Sequence, residues 1–544
     1  MSDAVQPAAR AAGGPPPQAP FTARLALGLL GVLLAAMASG LNSRVPGLAL
    51  TDIQGQMGIS YDQSSWLSSL YAAGELMAMP FASWFAVTFS LRRFHLSMLA
   101  GMLALAVVMP FVRDFHLLAT LRMFQGVFSG ALIPLLMMAA LRFLPPPIRL
   151  HGLALYAMTA TLAPNVAVWL AAVFLHEPVS VNWLYWHIIP LGLIAAALVY
   201  YGIPKMPPVF PRLKQGNWLG MALGLPGLGL LAVAVGQGVR LEWLASPLEC
   251  ALLLSGLGLT ALFLFSEWHH PGPFVRLQML SRRNLGLGFS VFFCLLLAMS
   301  SAVVLPMNVL THSQGFRVEQ MTSLGLMVGV PQVVLGSVVA ILLYQRWVDA
   351  RYLFVCGLLL MALACLLGSG VTPEWMVEQF FWAQVLQAIG QPLEVVCMLF
   401  LGTSVVQPME GPFVAGIINT LRAFGTIFSG ALVSQVSADR TYFHSEMLVN
   451  QAGLWFANNP QSTSADLAQV IAEQASVLAS ADIYRLFMWL LLLLIPAVLC
   501  LQRIPAPTIV RPPAPGQVPG PAPGPTPAPT SGPVTMKTAT AATA

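Results

Sequence analysis

Long apolar runs broken by short polar segments fill the chain from about residue 24 to residue 503. They fall at about 24–47, 62–86, 95–113, 115–142, 150–174, 183–203, 216–238, 247–267, 284–311, 319–345, 350–370, 374–405, 411–437 and 483–503. About 20 apolar residues suffice to cross the hydrocarbon layer as a helix, so each run predicts one crossing, numbered here spans 1 to 14. The expected fold class is an all-α polytopic membrane protein with 14 transmembrane helices. An even number of crossings places both termini on the same side. One break stands apart: residues 438–482 are long and polar, and within them Leu467, Val470, Ile471, Val477 and Leu478 fall at helical spacing. That pattern predicts an amphipathic helix in an outer loop, packed on its own bundle or presented to an external partner. Residues 1–23 are rich in Pro, Ala and Gly, so a disordered N-terminus is expected, followed by an uncleaved anchor in place of a signal peptide. The Pro-rich stretch 504–544 is expected to be a disordered tail of polyproline character.

Composition removes the soluble alternative. The chain is 57% hydrophobic and 8% charged, against about 25% charged residues in soluble domains. The net charge of +5 reflects sidedness and calls for no nucleic-acid partner. With the N-terminus inside, 17 of the 25 Lys and Arg fall in cytoplasmic segments. The outer segments hold only Arg113, Arg240, Arg317, Arg440 and Arg485. This bias predicts that both termini are cytoplasmic. The six cysteines lie in or beside apolar runs with no metal-ligand spacing, so neither disulfides nor zinc are implied. No phosphate-binding loop of the P-loop type is present, which argues against ATP drive. No nucleophile triad or acid/base pair suggests an enzyme.

Polar groups inside the spans carry the candidate chemistry, because intramembrane charges survive mainly where they face a partner or a wet cavity. Glu75 and Glu394 are the acids deepest in apolar runs. Gln384, Gln387, Gln391 and Glu394 recur at spacings of three, four and three, which puts them on one helical face. That face reads either as an interhelical hydrogen-bond ladder or as a cavity lining. Arg122 shares a face with Gln125 and Ser129, and Arg422 with Asn419, Thr426 and Ser429. Each arginine is a structural staple or a functional charge. Arg44, near the outer end of span 1, is expected to snorkel to the interface.

The segment Arg122-Met-Phe-Gln-Gly126, followed by Gly130 and Pro134, together with Asn419-Thr-Leu-Arg422 and Gln63-Ser-Ser-Trp66, resembles the major facilitator superfamily. Within it, the chain is similar to fourteen-helix drug:proton antiporters of the EmrB/QacA type over roughly residues 24–503. The resemblance implies a major facilitator fold: a six-helix bundle at 24–203, two inserted helices at 216–267, and a second six-helix bundle at 284–503 carrying the periplasmic loop 438–482. It implies a bacterial inner-membrane transporter exporting amphipathic or aromatic small molecules, driven by the proton gradient without a cofactor. A periplasmic adaptor and an outer-membrane channel would complete a tripartite pump. Proton coupling would fall to Arg122, as the resemblance implies, and to Glu75 and Glu394, which stand where the family is often uncharged. The substrate cavity would be lined by Asn42, Gln125, Gln387, Gln391, Asn419 and Arg422, with Pro164 and Asn165 as hinge. The chain also departs from the family. The loop Ser83–Arg93 keeps its arginines but lacks the acid, span 5 lacks the paired glycines after Ala163-Pro164-Asn165, and Asn42 stands where an aspartate is usual. Two other readings stay open: a proton-coupled importer of an organic anion or siderophore, and a non-transporting sensor or scaffold.

Overall fold

The computed structural model describes residues 21–176, 182–407, 410–459, 461 and 463–506. Residues 1–20 and 507–544, the bulk of the two ends expected to be disordered, lie outside the described residues. Among the described residues, fourteen helices are long and apolar enough to cross a membrane. They are Ala23–Leu48, Tyr61–Phe89, Leu91–Phe111, Phe115–Phe143, Pro147–Leu175, Trp183–Gly202, Trp218–Gln237, Pro247–His269, Arg283–Gln314, Val318–Leu343, Ala350–Gly368, Val377–Thr403, Gly411–Val449 and Ser464–Leu499. Spans 1 to 14 therefore each correspond to one apolar run. Their ends differ by a few residues, because polar caps rather than hydropathy set them. Ser60 and Gln63 form a reciprocal capping box at the start of span 2, and Asp114 accepts from Leu117 N at 2.7 Å at the start of span 4. The reversal between spans 2 and 3 is made at Ser90, whose φ of 79° costs a non-glycine residue about 1–3 kcal/mol.

Residues 438–482 are mostly helix rather than a loop. Span 13 runs unbroken to Val449 and span 14 begins at Ser464, leaving a short helix at Ala452–Asn458 between them. The physical reason is local: residues 431–449 contain neither Gly nor Pro, and Thr463 with Asp466 forms a capping box that starts the last helix early. The expected amphipathic stretch is the first part of span 14 itself. Asp482 ties the two long helices together, accepting from Arg440 Nε at 2.6 Å and pairing with His444 Nε2 at 2.8 Å.

Close packing is concentrated where glycines meet backbone. A Cβ on Gly74 would clash with the carbonyl oxygen of Met123, and one on Gly126 with that of Tyr71. One on Gly130 would lie 2.5 Å from Glu75 O. Spans 2 and 4 are thus in backbone contact over two turns, as small residues allow within a bilayer. Span 10 approaches span 5 in the same way, through Gly325 and Gly329 against Asn165. Spans 7 and 8 pack on each other at Gly227 and Gly256, and span 7 docks on span 2 through Gly229 against Met77. Gln237 Nε2 also donates to Ser69 Oγ at 2.8 Å.

At the end of the bundle where span 8 passes into span 9, Arg282 grips Glu410 with two hydrogen bonds of 2.7 Å. The Arg282 guanidinium holds the Glu410 carboxyl below its usual range, against an opposing effect of burial. Because this value lies below that of the unfolded chain, the stabilisation is complete above the ordinary glutamate range and is lost as pH falls through the lowered value. Arg282 is 36% exposed, so the pair contributes only about 1 kcal/mol. Melting of the detergent-solubilised protein should therefore drop on acidification, and Glu410→Gln should remove part of that drop. An unchanged acid profile in the variant would exclude the pair as its source.

Candidate functional site

Spans 1, 2, 4, 5 and 13, with the end of span 7, enclose a cavity of about 480 Å³. Its walls are mainly apolar, from residues such as Met79, Ile133, Ala163 and Ile427, with serines on span 2. It reaches Tyr61, which is 68% exposed, at the end of the bundle where span 1 passes into span 2. Glu75 lines this cavity together with Ser43 of span 1. Arg44, Arg422 and Arg122 direct positive charge at it, Arg44 most strongly. None of them approaches Glu75 closely enough to form an ion pair. A carboxyl facing three guanidinium groups without direct pairing can change charge with no salt bridge to break.

Arg122 lies behind this wall, 3% exposed. Its Nη1 donates to Gln125 Oε1 at 2.7 Å, and its guanidinium sits 4.3 Å from the centroid of the Tyr71 ring. The Tyr71 hydroxyl donates to Ser129 Oγ at 2.7 Å and accepts from Asn42 Nδ2 at 3.1 Å. Asn42, Tyr71, Arg122, Gln125 and Ser129 thus form one buried polar network beneath Glu75, fixed by the glycine contacts of spans 2 and 4. On the far wall Asn419 Oδ1 accepts from Tyr156 OH at 2.8 Å, and Arg422 Nη1 reaches Thr159 Oγ1 at 3.4 Å. These bonds join span 13 to span 5.

A second cavity of about 280 Å³ lies among spans 1, 5, 9, 12 and 13. It shares Arg44, Thr426 and Gly430 with the first, so Arg44 stands on the wall between them. Pro164, Asn165 and Gln391 line it. Asn165 Nδ2 donates to Thr161 O at 2.7 Å, while its Oδ1 has no partner.

The glutamine face of span 12 is largely a ladder. Gln384 Nε2 donates to Ala302 O at 2.7 Å, Gln387 Nε2 to Ser301 Oγ at 2.8 Å, and Gln332 Nε2 of span 10 to Gln391 Oε1 at 2.8 Å. Glu394 is fully buried beside Gly357 of span 11, and neither of its oxygens has a hydrogen-bond partner. It lines neither cavity. Of the expected site residues, Glu75 and Arg422 line the first chamber and Pro164, Asn165 and Gln391 the second. Asn42, Arg122, Gln125 and Asn419 line neither and are held in buried hydrogen bonds behind the walls, and Gln387 and Glu394 stand apart from both chambers. Sequence reasoning missed Arg44, which faces Glu75 instead of snorkelling outward. It also missed Tyr71, whose signal was its i, i+4 spacing to Glu75. The mouth residues Gln237 and Arg240 on the inserted pair had no sequence signal.

Comparison with known proteins adds an independent line. The pattern of the Major Facilitator Superfamily matches residues 32–430. The chain is 24% identical to the fatty acid resistance protein FarB of Neisseria gonorrhoeae over 424 residues, covering 76% of this chain and 80% of that one. It is 21% identical to the multidrug export protein EmrB of Escherichia coli over 480 residues, covering 85% and 92% respectively. It is 23% identical to the colistin resistance protein EmrB of Acinetobacter baumannii, covering 72% and 76%. Its fold is similar to that of the human organic anion transporter MFSD10, with a TM-score of 0.53 at 15% identity over 86% of this chain and 99% of that one. It is also similar to the proton:xylose symporter XylE, with a TM-score of 0.52 at 11% identity over 87% and 96%. With the family pattern spanning well over half of its length and fourteen membrane-length helices in its fold, this chain belongs to the Major Facilitator Superfamily, a family of transporters and not of enzymes.

Proposed function

We propose that this protein is a proton-coupled exporter of amphipathic or aromatic small molecules in a bacterial inner membrane. The observation that carries the reading is Glu75: a titratable carboxyl on the wall of a largely apolar chamber, faced by three guanidinium groups and salt-bridged to none. Gain or loss of a proton there changes the charge of the wall that a substrate must touch, which couples the two occupancies. The name of the Escherichia coli relative, the multidrug export protein EmrB, supports the outward direction. We assign both termini to the cytoplasm from the arginine distribution, which puts the mouth at Tyr61 on the periplasmic side. Two six-helix bundles at 24–203 and 284–503 would rock about the chamber, with the inserted pair at 216–267 riding on span 2 and Pro164 with Asn165 as hinge. The long helices of spans 13 and 14 would project toward a periplasmic adaptor leading to an outer-membrane channel.

The guanidinium-rich wall also favours a second reading, proton-coupled uptake of an organic anion. The sign of the linkage separates the two. An anion attracted by Arg44 and Arg422 binds more tightly when Glu75 carries a proton, so it takes a proton up on binding. An antiported substrate releases one. The test is proton flux in vesicles holding an imposed pH gradient, on adding lipophilic cations, phenolic acids and fatty acids. Substrate-triggered proton release should occur in wild type, vanish in Glu75→Gln and persist in Glu394→Gln. Loss in Glu394→Gln alone would move the coupling acid to span 12. Proton uptake would establish the importer, and no flux with any compound would leave the non-transporting reading.

A further inference from the structure

Two adjoining crevices of about 310 and 330 Å³ lie far from the substrate chamber, at the end of the bundle that carries Arg282 and Glu410. They are built from the linker between spans 6 and 7 and the linker between spans 8 and 9, and they share Pro271, Pro273 and Arg276. Arg276 lies across the Phe413 ring at 4.7 Å, and Arg212 across the Trp84 ring at 5.4 Å. Trp84 is itself braced by Phe274 at 4.8 Å and by Trp218 at 6.0 Å. Stacking of this kind fixes a guanidinium plane while leaving its N–H edges free.

Those edges are unused. Neither Arg212 nor Arg276 makes a side-chain hydrogen bond or an ion pair among the described residues. The acid lining the crevices, Glu410, is held in bidentate fashion by Arg282. Burial and the neighbouring charge of Arg276 hold Arg212 below its usual value, and Arg276 also acts on the Glu410 carboxyl without pairing with it. Exposed aromatic side chains flank the pair: Phe210 (56% exposed), on the same linker turn as Arg212, and Trp218, against Trp84. Cations set beside exposed aromatic groups at the end of a membrane helix match the boundary between lipid headgroups and acyl chains.

We propose that Arg212 and Arg276 form a binding site for the phosphodiester headgroup of an anionic phospholipid. The two stacked guanidinium groups donate to the phosphate oxygens, and Phe210 and Trp218 contact the first methylenes of the chains. Basic crevices between membrane helices on the cytoplasmic side are where such headgroups bind. The lipid would bridge Trp84 of span 2 and Phe413 of span 13 through the two linkers, and so restrain the ends of helices that also carry Glu75 and Arg422. The proposal rests on the cytoplasmic assignment of these linkers but not on proton coupling.

The test is lipid binding to the full-length protein delipidated in neutral detergent, followed by native mass spectrometry during titration with cardiolipin, phosphatidylglycerol or phosphatidylcholine. Saturable binding of the anionic lipids and not of phosphatidylcholine is expected. It should weaken roughly tenfold or more in the Arg212→Gln, Arg276→Gln double variant and recover only in part in the Arg212→Lys, Arg276→Lys pair, which keeps both charges but not the stacked planes. Equal binding by wild type and the glutamine pair, at an unchanged melting temperature, would overturn the proposal. Inorganic phosphate competing as well as the lipids would make this a soluble-phosphate site and would also overturn it. Because the readout is binding, it is independent of whether any proton flux is found.

Discussion

Gly126→Ala and Gly130→Ala are each expected to lower the melting temperature in detergent and to abolish substrate-driven transport. In a helix interior, alanine for glycine ordinarily gains about 0.5–1 kcal/mol. Here the new methyl group would meet the Tyr71 carbonyl in one case and Glu75 O, at 2.5 Å, in the other. Relieving such contacts by moving a helix costs about 1–3 kcal/mol, so sterics outweigh propensity. The displacement falls on the two residues that matter most, because Tyr71 stacks on Arg122 and Glu75 lines the chamber. Gly258→Ala supplies the control, since nothing lies within 4 Å of an added Cβ there. That variant should match or slightly exceed wild-type stability. Wild-type melting in both the Gly126 and Gly130 variants would rule out the backbone contact of spans 2 and 4.

The second large effect concerns Arg122, where lysine should fail to substitute. The guanidinium stacks on Tyr71 while donating in its own plane to Gln125. An ammonium is compact and cannot do both at once. A stacked cation contributes about 0.5–2 kcal/mol, and a hydrogen bond from a charged donor about 1.5–3 kcal/mol. Loss of either approaches or exceeds the ~1.4 kcal/mol that corresponds to a tenfold rate change. Arg122→Lys and Arg122→Gln should therefore both transport roughly tenfold or more slowly in proteoliposomes at matched protein content. Tyr71→Phe keeps the ring but cuts the hydroxyl from Ser129 and Asn42, so an intermediate loss is expected. Wild-type rates in Arg122→Lys would reduce this residue to a point charge.

The helices were legible because the bilayer imposes one simple requirement, about 20 apolar residues per crossing, and each run states it separately. The extent of spans 13 and 14 was not, because polar residues such as Asp439, Arg440 and Glu446 read as loop although nothing between 431 and 449 breaks a helix. For the chamber, the motif around Arg122 pointed to the right helix, and its glycines prove to be what seats Glu75. Arg44 was read from its own run alone, where a charge near the end snorkels. Its facing of Glu75 depends on how span 1 is set against span 2, which no spacing encodes. The glutamine face of span 12 illustrates the limit most clearly. Periodicity aligned Gln384, Gln387, Gln391 and Glu394, yet the first three found partners on spans 9 and 10 and the fourth found none.

Span 13 has 39 residues and no proline beyond its first turn. At 1.5 Å per residue it is about 58 Å long, while the hydrocarbon layer needs only about 30 Å of it. The same rigid rod carries Arg422 at the chamber and Val449 at its far tip. A tilt of about 10° about the chamber would sweep that tip sideways by roughly 7 Å, from the rise per residue alone. The protruding end is therefore a lever, and whatever rests against it can follow the state of the chamber without ever touching the substrate.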